Sequence, residues 1–208
     1  MANREMYLHY RLTGGDYKTY ESLVEISLAS ARRYLAGKWS PLILHGDYSN
    51  RPYERGFSEM YRIMFQVMRK CYDAGDNVLF LDPDTLFIKE TEVFGRFTQM
   101  MLFWPTDPAK RRHFDPYLNA GIVYVPATMD AKLWRFANAA PMMSEWNDSQ
   151  DIFNEMFYAQ RPVPELHPEL NWSPNVPSTI RMDEASLLHF NSTRGALGVL
   201  ETMRELAS

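Results

Sequence analysis

Residues 78–87 read VLFLDPDTLF: four apolar residues run without alternation into Asp82-Pro83-Asp84, and apolar residues then resume. An unbroken apolar run of this length is how a strand reads when helices cover both faces of a parallel sheet. On that reading the two aspartates stand at the carboxyl end of a central strand, where open α/β sheets bind their ligands.

The residues before this strand support it. Phe57, Met60, Met64, Val67 and Cys71 recur at helical spacing, which predicts a helix ending near Gly75. Residues 39–45 read as a strand. Ahead of them lies a helix opened by Asp16 as N-cap, with Tyr20, Leu23, Val24, Leu28, Ala31 and Leu35 on one face. Residues 6–11 give a first strand, stopped by Gly14-Gly15. The order is β-α-β-α-β, the signature of a parallel α/β sheet. Beyond residue 87 the pattern changes. Strands are expected at 100–104 and 121–125, a helix from Asp148 or Ser149, a last strand at 187–190 and a final helix from about Ala196. The expectation is one α/β domain over residues 1–208, with a mixed, mostly parallel sheet flanked by helices.

Composition narrows the function classes. The chain has 208 residues, 46% hydrophobic and 23% charged, enough for one buried core, and no linker or repeat divides it. A net charge of −4 and a pI near 5.8 give no electrostatic footprint for nucleic acid, and Lys110-Arg111-Arg112 is too short a basic run to alter that. A single cysteine, Cys71, excludes an internal disulfide and, lying at helical spacing among apolar residues, reads as core. The N-terminus MANREMYLHY lacks the apolar stretch of a secretion signal, and no run of 18 apolar residues occurs. The sequence therefore reads as a soluble, cytoplasmic protein without a transmembrane segment.

Three readings of Asp82 and Asp84 follow from their chemistry. Asp-Pro-Asp-Thr is good turn chemistry. Paired aspartates after an apolar strand also occur in haloacid-dehalogenase-type phosphatases, whose pattern resembles D-x-D-x-T. Here Thr85 follows Asp82 by three residues rather than four, and the motif lies some way into the chain. Finally, carboxylates at i and i+2 on a sharp turn can face one hard cation such as Mg²⁺ or Mn²⁺, and a histidine ligand favours Mn²⁺.

Four motifs in order decide among these by resemblance: Asp82-Pro83-Asp84, Asn119-Ala120-Gly121-Ile122, Gln150-Asp151-Ile152-Phe153-Asn154 and His189-Phe190-Asn191. With Asp16-Tyr17 and Tyr61-Arg62, they resemble the glycosyltransferases of the GT-A (Rossmann-like) fold, closest to the retaining family-eight type that includes bacterial galactosyltransferases and glycogenin. The resemblance spans about residues 6 to 195.

It implies a metal-dependent hexosyltransferase using a nucleotide diphosphate sugar, UDP-glucose or UDP-galactose, and an unidentified glycan, lipid or protein acceptor. Asp82, Asp84 and His189 would hold Mn²⁺ or Mg²⁺. Thr13, Asp16 and Tyr17 would meet the nucleotide, with Tyr17 on the base. Arg62 and Arg194 would bear on the diphosphate or the carboxylates, since a guanidinium clamps such groups bidentately. Asp107 and Asn119 would hold sugar hydroxyls, with Ala120-Gly121 allowing close approach of backbone and ligand. Gln150 and Asp151 would lie beneath the anomeric carbon, although Asp148 and Asp151 are also good helix-start residues.

The chain departs from the pattern in several places. Ser149 stands where family members often carry the first acid of D-Q-D, Gly14 replaces an acid before Asp16-Tyr17, and Arg194 lies one residue early for the family's cation. The stretch from Asp107 to Asn119 is short. A non-catalytic binding module of the same fold is the alternative these departures raise.

Overall fold

The computed structural model describes residues 6–12, 17–45, 65–92, 98–100, 118–128, 154, 168–174, 178–190 and 195–208. Within them run β1 (Met6–Leu12), α1 (Tyr17–Tyr34), β2 (Trp39–His45), α2 (65–73), β3 (Asn77–Leu81), β4 (Thr85–Phe87), β5 (Thr98–Met100), β6 (Leu118–Val125), β7 (Leu187–His189) and α3 (Gly195–Ala207). The predicted β-α-β-α-β order is present. The predicted helix from residue 148 falls outside the described residues, as does most of the strand expected at 100–104, whose first residue, Met100, belongs to β5.

Five strands form the main sheet in the order β2-β1-β3-β6-β5. β1 pairs in parallel with β2 and with β3, whereas β6 runs antiparallel to both β3 and β5. Four of these five strands thus point one way and β6 points the other, the mixed and mostly parallel sheet that the sequence predicts. Pro41 lies on β2, the edge strand, where a residue without an N–H interrupts least. Val78, Leu79, Phe80 and Leu81 are all fully buried, which is why β3 carries no polar alternation.

α1 buries Leu23, Val24, Leu28 and Ala31, with Leu35 buried just past its end, and exposes Glu25, Arg32 and Arg33, as its period requires. In α2 the buried residues are Phe65 and Met68, while Val67 and Cys71 are half-buried. Phe57, Met60 and Met64 of the stripe read in sequence lie outside the described residues; within them Phe65 and Met68 are more deeply buried than Val67 and Cys71. α2 ends in a Schellman arrangement: Gly75 adopts φ 84°, its N–H bonds Tyr72 O (2.9 Å), and Asp76 N–H bonds Cys71 O (3.0 Å).

The sequence gives no sign of a second, two-stranded sheet, in which β4 pairs antiparallel with β7. The chain leaves the main sheet at Leu81, turns through Asp82-Pro83-Asp84 and enters β4 at once. Leu23 of α1, Leu86 of β4, Leu188 of β7 and Val199, Leu200 and Met203 of α3 close one apolar cluster over this small sheet. Each such buried side chain contributes about 1.5–3 kcal/mol.

Polar links hold the small sheet against α1. Thr85 Oγ1 donates to Asp82 O (2.9 Å) and lies 3.2 Å from Ser27 Oγ; Phe87 N–H donates to Ser30 Oγ (3.1 Å). Thr85 is fully buried. Replacing Thr85 by valine is expected to cost about 1–2 kcal/mol, read as a lower urea midpoint. Ser27→Ala should cost a similar amount, and the double variant less than the sum, since both remove the same contact.

Candidate functional site

The turn between β3 and β4 is fixed at both ends by main-chain bonds. Asp82 N–H donates to Gly121 O (2.8 Å), extending the β3–β6 pairing by one residue. Phe190 N–H donates to Asp84 O (3.0 Å), just past β7. In the small sheet His189 stands directly across from Thr85, the residue after Asp84. Pairing of β4 with β7 thus brings a histidine from near the end of the chain to the carboxyl end of β3.

The side chains converge. His189 Nε2 lies 3.5 Å from Asp84 Oδ1 and 3.7 Å from Asp82 Oδ2, and one ligand atom from each residue falls within 4.8 Å of the others. Among the described residues this is the one group of three or more His, Cys, Asp or Glu side chains so arranged. His189 is 1% exposed, while the Asp82 and Asp84 side chains keep 29% and 15% of their surface, so the histidine forms the floor and the acids form the rim.

The donor set fits a divalent cation. Two carboxylates this close repel each other, a cost that a shared cation reverses. The imidazole nitrogen lies 3.5 and 3.7 Å from one oxygen of each acid, so one ion between them could be held by all three residues. Both distances exceed hydrogen-bond length.

Gly121 makes the site possible. A Cβ at that position would lie 2.6 Å from His189 Nδ1 and closer still to Cε1 and Nε2. The sequence reading gave this glycine to close approach of a ligand; in the structure the imidazole of His189 takes the space. Asn119, two residues before Gly121 on β6, is 3% exposed, and its Oδ1 accepts from Gly121 N–H (3.0 Å) and from Asn171 Nδ2 (3.4 Å). Its carbonyl oxygen is thus engaged within the protein.

Of the remaining predicted site residues, Thr13, Asp16, Arg62, Asp107, Gln150, Asp151 and Arg194 lie outside the described residues, and Tyr17 is placed only as the first residue of α1. From the Gln150–Asn154 motif, Asn154 is described, helical and fully buried. The segment Asn171-Trp172-Ser173, unread in sequence, packs beside β7. Its signal was the alternation Leu170-Asn-Trp-Ser, too short to separate from a loop. Cys71, away from this site, has its thiol pushed up by burial and then by Asp76, which makes it a poor nucleophile at neutral pH. Among the described residues no helix is long and apolar enough to cross a membrane.

Comparison with known proteins adds the following. A family model for nucleotide-diphospho-sugar transferases matches residues 14–168, about three quarters of the chain. The structure is similar to the apo structure of WbbM, a bifunctional glycosyltransferase, with a TM-score of 0.65 and 11% identity over 99% of this chain and 49% of that one. It is also similar to a glycosyltransferase involved in glycosylation of the major capsid of PBCV-1, with a TM-score of 0.60 and 13% identity over 96% and 98% of the two chains. At such identities the likeness is one of fold, and the chain spans about half the length of the first of these proteins. No curated protein sequence matches.

Proposed function

The chain belongs to the nucleotide-diphospho-sugar transferase family, and from that membership we propose that it moves a hexose from a UDP-linked donor to an acceptor with the help of a divalent cation. Its α/β fold is that of a GT-A glycosyltransferase. The observation that carries the metal-dependent reading is the convergence of Asp82, Asp84 and His189 at the carboxyl end of β3. The family-eight reading, and with it retention at the anomeric carbon, rests on the four motifs read in sequence.

Asp82, Asp84 and His189 are the residues that would hold Mn²⁺ or Mg²⁺. When bound, the cation supplies Lewis-acid neutralisation of the leaving diphosphate. The protein's own part is positioning. The buried imidazole and the main-chain bonds of Asp82 and Asp84 fix the donor atoms before ligand arrives, so little ordering is left to be done at the moment of reaction. By resemblance, Arg62 and Arg194 face the diphosphate, Thr13, Asp16 and Tyr17 the nucleotide, Asp107 and Asn119 the sugar hydroxyls, and Gln150 and Asp151 the anomeric centre. With serine at position 149, front-face attack guided by the leaving phosphate is the retaining route proposed. The phosphatase reading loses its hydroxyl: that of Thr85 is buried and bonded within the turn.

Release of UDP from UDP-glucose or UDP-galactose tests the proposal. In Mn²⁺ the protein is expected to release UDP, and EDTA should slow release at least a hundredfold, an effect of about 3 kcal/mol. Donor binding in Mn²⁺ without release from either sugar would instead identify a binding module. Release at the same rate in EDTA would remove the metal.

A further inference from the structure

Trp172 forms a parallel bridge with Leu188. Its N–H donates to Leu187 O (3.1 Å), and its carbonyl accepts from His189 N–H (2.8 Å). Residues paired in parallel neighbours share a face, and successive residues alternate between faces. Trp172 packs with Leu188 against the apolar cluster. Asn171 and Ser173 therefore belong to the opposite face, with Ser173 across from His189. An independent contact agrees: Asn171 Nδ2 reaches Asn119 Oδ1, two residues along β6 from the glycine over which the His189 ring lies.

Ser173 is 2% exposed and His189 1%. Ser173 Oγ and His189 Nδ1 have no hydrogen-bond partner among the described residues. Buried polar atoms in native proteins are overwhelmingly paired, and the register of the Trp172–Leu188 bridge puts these two residues at neighbouring positions. A serine hydroxyl accepts as well as donates, and a neutral imidazole carries its proton on one nitrogen only.

We propose that Ser173 is a positioning residue for His189: its Oγ accepts the Nδ1 hydrogen, directly after a turn about χ1 or through one buried water. With the proton held on Nδ1, the lone pair of Nε2 is directed at Asp82 and Asp84, the form in which an imidazole ligates a metal. The purpose of the link rests on the metal reading proposed above; its first readout does not.

That readout is the tautomer of His189 in ¹⁵N-labelled, metal-free protein. Long-range proton–nitrogen correlations report it, and His189→Gln identifies the signals. In the metal-free wild type the carboxylates near Nε2 favour Nε2–H and Ser173 favours Nδ1–H, so both forms are expected. Ser173→Ala should shift the ratio about tenfold toward Nε2–H, and Ser173→Thr should restore it. Mn²⁺ affinity, measured separately, should fall about tenfold in Ser173→Ala and return in Ser173→Thr. Should the alanine variant not fold, Ser173→Cys, close in size and a weak acceptor, carries the same expectation. An unchanged tautomer ratio overturns the proposal. The expected tautomer response in a protein with no affinity for Mn²⁺ supports the Ser173–His189 link and removes the metal reading alone.

Discussion

Replacing Gly121 by alanine is expected to lower Mn²⁺ affinity about a hundredfold, and UDP release with it, although the substitution adds one methyl group and touches no charge. The methyl would occupy the volume of the His189 imidazole, within 2.6 Å of Nδ1 and nearer to the other ring atoms. The ring is 1% exposed and has little space into which to retreat. It must leave the carboxylates, or β6 must move, and β6 is pinned by its pairing to β3 and by Asp82 N–H on Gly121 O. Overpacking of this kind costs about 1–3 kcal/mol of stability. The cause is separable from general damage to the sheet. In a Gly121→Ala/His189→Ala double variant the ring is gone, so most of the lost stability should return while Mn²⁺ binding stays absent. Equal destabilisation with and without the imidazole would show that the methyl collides elsewhere.

The second large effect is expected at Asp84. Asp84→Asn keeps the shape of the side chain and removes its charge. Transfer should fall about a thousandfold, or about 4 kcal/mol, the scale of a lost share of charge neutralisation at the diphosphate. Stability should move the other way. In EDTA the variant is expected to match or exceed the wild type by about 1 kcal/mol, because it no longer holds two carboxylates within 4.8 Å of each other. Melting curves in EDTA and in Mn²⁺ separate the two effects: the wild type should gain on adding Mn²⁺ and the variant should not. Unchanged UDP release by the variant in Mn²⁺ would sink the assignment of Asp84 as a ligand.

What could be read in the sequence was what local periodicity encodes. The inward face of α1, the bounds of β2 and the continuous burial of β3 follow from residues within one element, and each is found where the spacing puts it. β4 was not legible, because Thr85-Leu86-Phe87 is a strand only by pairing with β7, about a hundred residues later. Nor was the order of burial in α2, where packing sets Phe65 and Met68 deeper than Val67 and Cys71.

At the candidate site the aspartates, the glycine and the histidine were all legible as residues, and the turn and cation readings of Asp-Pro-Asp turn out to be compatible. Thr85 closes the turn by donating to Asp82 O while the two carboxylates face His189. What Gly121 makes room for, and that Ser173 stands across from His189, depended on the register between distant segments. No pattern in one sequence reports such a register.

The same pairing has a consequence for the order in which the protein becomes competent. Residues 84 and 189 are separated by 105 positions, and they meet only when β7 docks on β4. β1, β2 and β3 pair with one another within the first part of the chain, so a nascent polypeptide can pair those strands early, whereas the cluster on α1 waits for β7 and α3. It would then present two acids without their imidazole. On the metal reading, the grip on a cation is completed only when β7 docks on β4, so cation capture would report pairing of these two distant strands as well as readiness for the donor.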